Sequence, residues 1–203
     1  MWTLQDREDL QKWVQYIDSD DIKIKERIKD ELVKNKDIIH LLNNTALEED
    51  QSSPGDYYGV NILPYYNVEP TQTRAENFIC FETQWTEEQR YNNRAKLQQV
   101  VFYILCHIDT IIEEDAKLPR HDLIAAIITN QFNWTNIIGK KMHCVSSRPS
   151  NVDNKYVTRT LIFEQITDNN LVKTPKLGVP RLANKDIVLE TPDPNEDEDE
   201  PTI

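Results

Sequence analysis

The stretch Val100-Val101-Phe102-Tyr103-Ile104-Leu105-Cys106-His107 decides the fold. A strand with one face in water alternates apolar and polar residues. This run does not alternate, so it reads as a central strand buried on both faces. Working outward, three further strands are expected. Phe78-Ile79-Cys80-Phe81 is short and apolar. Met142 to Ser147 follows, and then Tyr156 to Ile166, where Val157, Leu161 and Phe163 alternate with Thr158, Thr160 and Ile162. Residues 148–155 read as the hairpin loop between the last two.

Between the second and third strands lies a helix. Pro119 suits its first turn, where a missing N–H costs nothing. Leu123, Ile124, Ile127, Ile128 and Phe132 form its apolar stripe. Upstream, Asp20 or Asp21 can cap a helix carrying Ile24, Ile28, Leu32 and Val33. A shorter one spans Asp37 to Leu42 and ends at Asn43 and Asn44. Helices, strand, strand, helix, strand, strand predicts an α+β fold: a mostly antiparallel four-stranded sheet with helices packed on one face.

The chain has 203 residues, enough for one domain with appendages. We divide it into an amphipathic extension at 1–19, an α+β core at 20–167, and a Pro-rich acidic tail at 168–203. Within the core, residues 45–77 form a long loop with few periodic signals, although Val60 to Leu63 could make a short strand. Loops of this length are uncommon inside a domain and are often functional. Tyr57, Tyr58, Tyr65 and Tyr66 give this one the large, low-entropy contact area typical of interfaces. Trp2 and Trp13 in the extension, and Ile187 and Leu189 in the tail, complete the interface candidates. The last pair could add a strand to a neighbour's sheet edge. The plainer reading of all eight is packing on the chain's own core, or a flexible tail.

The net charge is -12. An acidic surface repels phosphate, which disfavours nucleic-acid binding and anionic membranes. No apolar run approaches the roughly 20 residues of a membrane helix, and the polar start does not resemble a secretory signal. Cys80, Cys106 and Cys144 lack CxxC spacing and sit in apolar runs, as buried thiols do in a reducing compartment.

The residues offer little chemistry. The 4 glycines never cluster, so neither a P-loop nor a dinucleotide fingerprint exists. Cys106-His107 and His143-Cys144, with Cys80, hold metal-ligand residue types. Adjacent strand residues point to opposite faces, however, so buried side chains are the better reading. Cys144 with His107 as a nucleophilic pair lacks an activating context. Glu82 and Asp109 are the best carboxylate pair for a metal-dependent nuclease, with Lys96 too far along the chain to assign. His40 and His121 read as surface residues, Asp122 complements a helix dipole, and Arg120 suits an ion pair. We expect a binding protein, not an enzyme, with no cofactor and no bound metal. The alternatives are an intracellular adaptor or regulator and, less favoured, that nuclease.

In their order, the elements resemble the head–tail joining and tail terminator (neck) proteins of tailed bacteriophages, over about residues 20–167. The resemblance rests on Asp21 to Ile28, Ile38 to Asn44, Ile62-Leu63-Pro64, Arg74 to Glu82, the strand Val100 to His107, and Arg120-His121-Asp122-Leu123-Ile124-Ala125. Val145-Ser146-Ser147 and Tyr156 to Phe163 close it. The acidic tail and the Trp2/Trp13 segment depart from the pattern. The resemblance implies a virion structural protein made in the host cytoplasm. It would form a ring, a hexamer or dodecamer, at the head–tail junction. Its partners would be neck, portal or tail-tube proteins, with DNA passing through the lumen without specific binding and no membrane involved.

Overall fold

The central strand runs longer than its apolar run. In the computed structural model it is β3, Ala95–His107, the middle strand of a five-stranded sheet ordered β1-β2-β3-β5-β4. The others are β1 (Ile62–Leu63), β2 (Phe78–Glu88), β4 (His143–Asn151) and β5 (Tyr156–Asp168). The structure describes residues 5–8, 20–66, 75–88, 95–151 and 155–168. Residues 19–172 make one compact unit. The second unit comprises 1–18 and 173–203, of which only a helical turn at 5–8 is described. Trp2, Trp13, Ile187 and Leu189 lie outside the described residues.

All pairings are antiparallel except β1 with β2. On one face of β3, Val100, Phe102, Ile104 and Cys106 join Ile79, Phe81, Leu161 and Phe163 in a single core with the helices. Phe102 is its hub, with ring centroids 6.2 Å from Phe81, 5.5 Å from Phe132 and 5.7 Å from Phe163. On the other face Leu105 packs with Leu63, Phe78, Cys80 and Tyr156. Burial on both faces accounts for the lack of alternation along β3.

The helices begin and end on asparagines. α1 (Asp20–Lys34) buries Ile24, Ile28 and Leu32, one residue per turn. The Asn35 side chain accepts from the Asp37 and Ile38 N–H groups and so caps α2 (Lys36–Leu42). Asn43 closes α2 in the left-handed region at φ 53°, a conformation asparagine tolerates better than most residues. Asn44 then accepts from Leu47 N and caps α3 (Thr45–Glu49). The fourth helix, α4 (Arg120–Phe132), starts after Pro119, which occupies the cap position just outside the first turn.

Three expectations need correction. The sheet has five strands, because Ile62-Leu63 pairs in parallel with Ile79-Cys80. The short strand expected within Val60 to Leu63 is these two residues, and its place as a fifth member of the sheet is set by the pairing. Nor is 45–77 an irregular loop where it is described. It holds α3, a 3₁₀ turn at Pro54–Tyr57 closed by reciprocal Ser53–Asp56 bonds, and β1. The expected hairpin loop at 148–155 begins later as well, since β4 extends to Asn151.

A buried asparagine network fastens this segment to the sheet. Asn44 Nδ2 donates to Asn61 Oδ1 at 2.7 Å, and Asn61 Nδ2 donates to the Asn77 carbonyl at 2.9 Å. Asn77 Nδ2 donates to the Leu41 carbonyl, and its Oδ1 accepts from His107 N at 3.1 Å. All three side chains are buried. Removing one strands its partners without water. Asn77→Ala is expected to cost about 2–4 kcal/mol in urea denaturation, whereas exposed Asn136→Ala should change stability by under about 0.5 kcal/mol. Equal effects would show that the network does not stabilise the fold.

Candidate interaction site

The long helix and the outer strand frame a groove. α4 turns Ile124, Ile128 and Phe132 into the core and leaves small residues on its flank. Ala125, Ala126 and Thr129 there face Cys144 and Ser147 of β4 and Arg159 of β5 across a cleft of about 680 Å³. The cleft is wide because the helix side is short-chained.

Charged groups close one end. Asp122 Oδ1 accepts from Arg159 Nε at 2.7 Å and lies 3.2 Å from His121 Nε2. Arg159 Nη1 donates to Ser147 Oγ at 3.0 Å. Asp122 stands in the first turn of α4, where the helix dipole favours a carboxylate. His121 is buried, not at the surface as its position near a helix start suggested, and its Nδ1 has no partner among the described residues. Arg120 is also buried. Its Nε donates to a backbone acceptor, the Thr110 carbonyl, at 3.0 Å.

Beyond the cleft lies the edge of the sheet. Among the described residues β4 has a neighbour on one side only. The start of β4 is covered: Trp134 N donates to the Met142 carbonyl at 2.7 Å, and Cys144 N donates to Asn133 Oδ1 at 2.9 Å. A bulge follows between Cys144 and Ser146, and Pro149 stands further on. Bulges and prolines are the devices by which proteins restrict strand addition at an edge. The open edge is thereby narrowed to Ser146–Arg148. Trp134 marks its near end. It is 64% exposed, stacks on His143 at 5.4 Å, and holds φ 60°. A left-handed backbone is an outlier for so bulky a residue and points to a local constraint.

The electrostatics are local too. From Leu123 to Phe163 the chain carries Lys140, Lys141, Arg148, Lys155 and Arg159 against the single acid Asp153. In a chain of net charge -12 this is a basic island, and β4 runs through it.

The four tyrosines divide. Tyr57 is 3% exposed and belongs to the core, where its ring packs with the helices, so it is not available to a partner. Tyr58 is half-buried, with Lys29 Nζ 5.3 Å from its ring centre. Tyr65 and Tyr66, just past β1, are 50% and 41% exposed. Tyr66 lies edge-on against Tyr103 at 4.7 Å, over the face of the sheet away from the helices. Tyr65 is therefore exposed just past β1 and Tyr66 lies over β3, whereas the groove is at the β4 side.

The other candidate pairs do not converge. Cys106 and His107 face opposite sides of β3, as Cys144 and His143 do on β4. Cys80 lies on the opposite face from Cys106, and no group of three potential ligands occurs among the described residues. Burial pushes the Cys106 thiol up to about 12, so it is protonated and unreactive. Glu82 pairs with Val101, while Asp109 lies beyond the end of β3, six or more residues further and so about 20 Å away. Lys96 faces the opposite side from Glu82, with its Nζ 5.6 Å from the Trp85 ring centre.

Trp134, Arg148 and Arg159 were missed as site residues. The basic bias of 123–163 was visible in the sequence and could have pointed to the last two. Nothing local marks Trp134, which stands out only through its exposure and φ.

Together these features define an α+β domain with a groove of small and polar side chains beside an open strand edge. A family model described as YomW matches residues 35–165, from the cap of α2 to β5, and the chain belongs to the YomW family. No curated protein and no solved structure matches it.

The groove carries a pH signature. Burial holds the His121 imidazole below its ordinary value; Asp122 opposes that shift and Arg159 adds to it. Unfolded His121 takes up a proton near its ordinary value, while the folded form resists until lower pH. The unfolded state binds more protons in that window, so stability is fully present above it and falls as pH drops through it. Tm should fall from about pH 7 to pH 5, with a shallower fall in His121→Gln. Identical slopes in thermal melts would assign the pH dependence to other groups.

Proposed function

We propose that this protein is a structural subunit of a tailed-phage virion, a tail terminator or neck connector that assembles into a ring at the head–tail junction. The observation that carries the reading is the placement of two unlike exposed surfaces at separate places on one sheet. Tyr65 and Tyr66 follow β1, and Trp134 with the open edge of β4 lies at the far side. A ring is built head to tail, with one surface of each subunit meeting a different surface of the next. A two-fold dimer needs only one self-complementary patch. Exposed aromatic side chains supply anchors at each joint.

The resemblance in element order supports the same reading and supplies the location. The net charge of -12 suits a lumen through which DNA slides without being held, because fixed negative charge does not trap phosphate. The partners are further copies in a hexamer or dodecamer, and the neck, portal or tail-tube proteins above and below. No step of this role calls for a cofactor.

Native mass spectrometry and electron microscopy of the purified protein test it. Closed rings are expected, and Trp134→Ser or the double change Tyr65→Ser/Tyr66→Ser should each shift the population to subunits that remain folded by circular dichroism. In a phage lysate lacking the gene, heads apart from tails of uncontrolled length would mark a terminator, and leaking heads a head-closing ring. Normal infectious particles would overturn the proposal.

A further inference from the structure

We infer that the open edge of β4 is a strand-addition site, and that its occupant is the segment Asp186-Ile187-Val188-Leu189-Glu190 of a second copy of this chain. The inference rests on the ring reading and names the contact that closes each joint.

Three observations select this occupant. The first is length. The bulge and Pro149 leave only Ser146–Arg148 open for pairing, so a long strand does not fit and a three-residue apolar run does. Ile187-Val188-Leu189 is such a run, β-branched at two positions and flanked by acids. Directly opposed residues point to the same face, so with the run set against Ser146–Arg148, Val188 lies opposite Ser147 and enters the groove beside Ala125, Ala126 and Cys144, while Ile187 and Leu189 face the other side.

The second is charge. From Asp186 to the end, the tail has eight acids and no base, whereas the open edge carries Arg148 and Arg159 lines the groove beside it. Copies of net charge -12 repel one another, and this basic island is where an acidic segment of a neighbour is attracted. The third is reach. Eighteen residues separate Asp168 from Ile187. Extended, they span about 60 Å. A compact unit of this size is about 40 Å across, so the segment reaches an adjacent subunit.

Hydrogen exchange on the full-length protein, read together with its native mass, tests this. Exchange across Ser146–Arg148 should slow in multimers relative to monomers, about tenfold when the segment is at ten times its dissociation constant. Val188→Pro removes a backbone N–H that an added strand needs for pairing and should abolish the slowing. Arg148→Glu should weaken it, and added salt should weaken it in the wild type. Slow exchange in monomers would show the chain's own tail in the groove and overturn the inference. So would slow exchange in multimers that Val188→Pro leaves unchanged, or slowing that appears only when duplex DNA is added. Rings without slow exchange at Ser146–Arg148 would refute this docking alone. Slow exchange in multimers that never close would refute the ring alone.

Discussion

The arrangement depends on three buried amides. Asn44, Asn61 and Asn77 lie in different elements, and each satisfies the next away from water. Asn44 also caps α3, and Asn77 reaches both the end of α2 and the end of β3. A buried amide without partners is costly, so the segment after α2 has few places to lie. Ile79 N donates to the Asn61 carbonyl at 2.8 Å, which brings β1 onto β2 in parallel. From there Tyr66 is delivered to the helix-free face, against Tyr103. Lys25 reinforces the placement from α1 by donating to the Pro64 carbonyl at 2.8 Å.

The helix-free face is itself divided. Near β1 it is aromatic, with Tyr66 on Tyr103 and Phe78 beside Tyr156. Toward the other end a polar row crosses three strands: Gln84 Nε2 donates to Gln99 Oε1, and Gln99 Nε2 to Glu164 Oε1, both at 2.6 Å. His143 stands opposite Glu164 on the outer strand. Such a row stays wet at little cost, whereas the aromatic end gains from being covered. The sheet thus offers partners one apolar corner and one basic edge.

That basic edge matters because of the rest of the chain. Five cations in a neutral protein would count for little. Against a net charge of -12 they are the place where an acidic segment meets attraction, over a Debye length of about 8 Å in physiological salt. Asp122 holds Arg159 where it lines the groove.

Much of this was written in the chain. The unbroken run at 100–107 determined a central strand, because only burial on both faces removes alternation. The four-residue spacing of Ile24, Ile28 and Leu32 determined a helix, and Asn43 and Asn44 determined its neighbour's end. The clustering of bases between Leu123 and Phe163 was equally legible as charge. Other features were decided by tertiary structure. β1 is too short to carry a period and exists through its pairing with β2. Tyr57 and Tyr65 are the same residue type in the same segment, yet one is core and the other surface, because the asparagine network sets which side of the turn faces the helices. Burial of His121 and exposure of Trp134 likewise depend on what packs against them. Sequence patterns report a residue's own element; which surfaces stay open depends on residues far away along the chain.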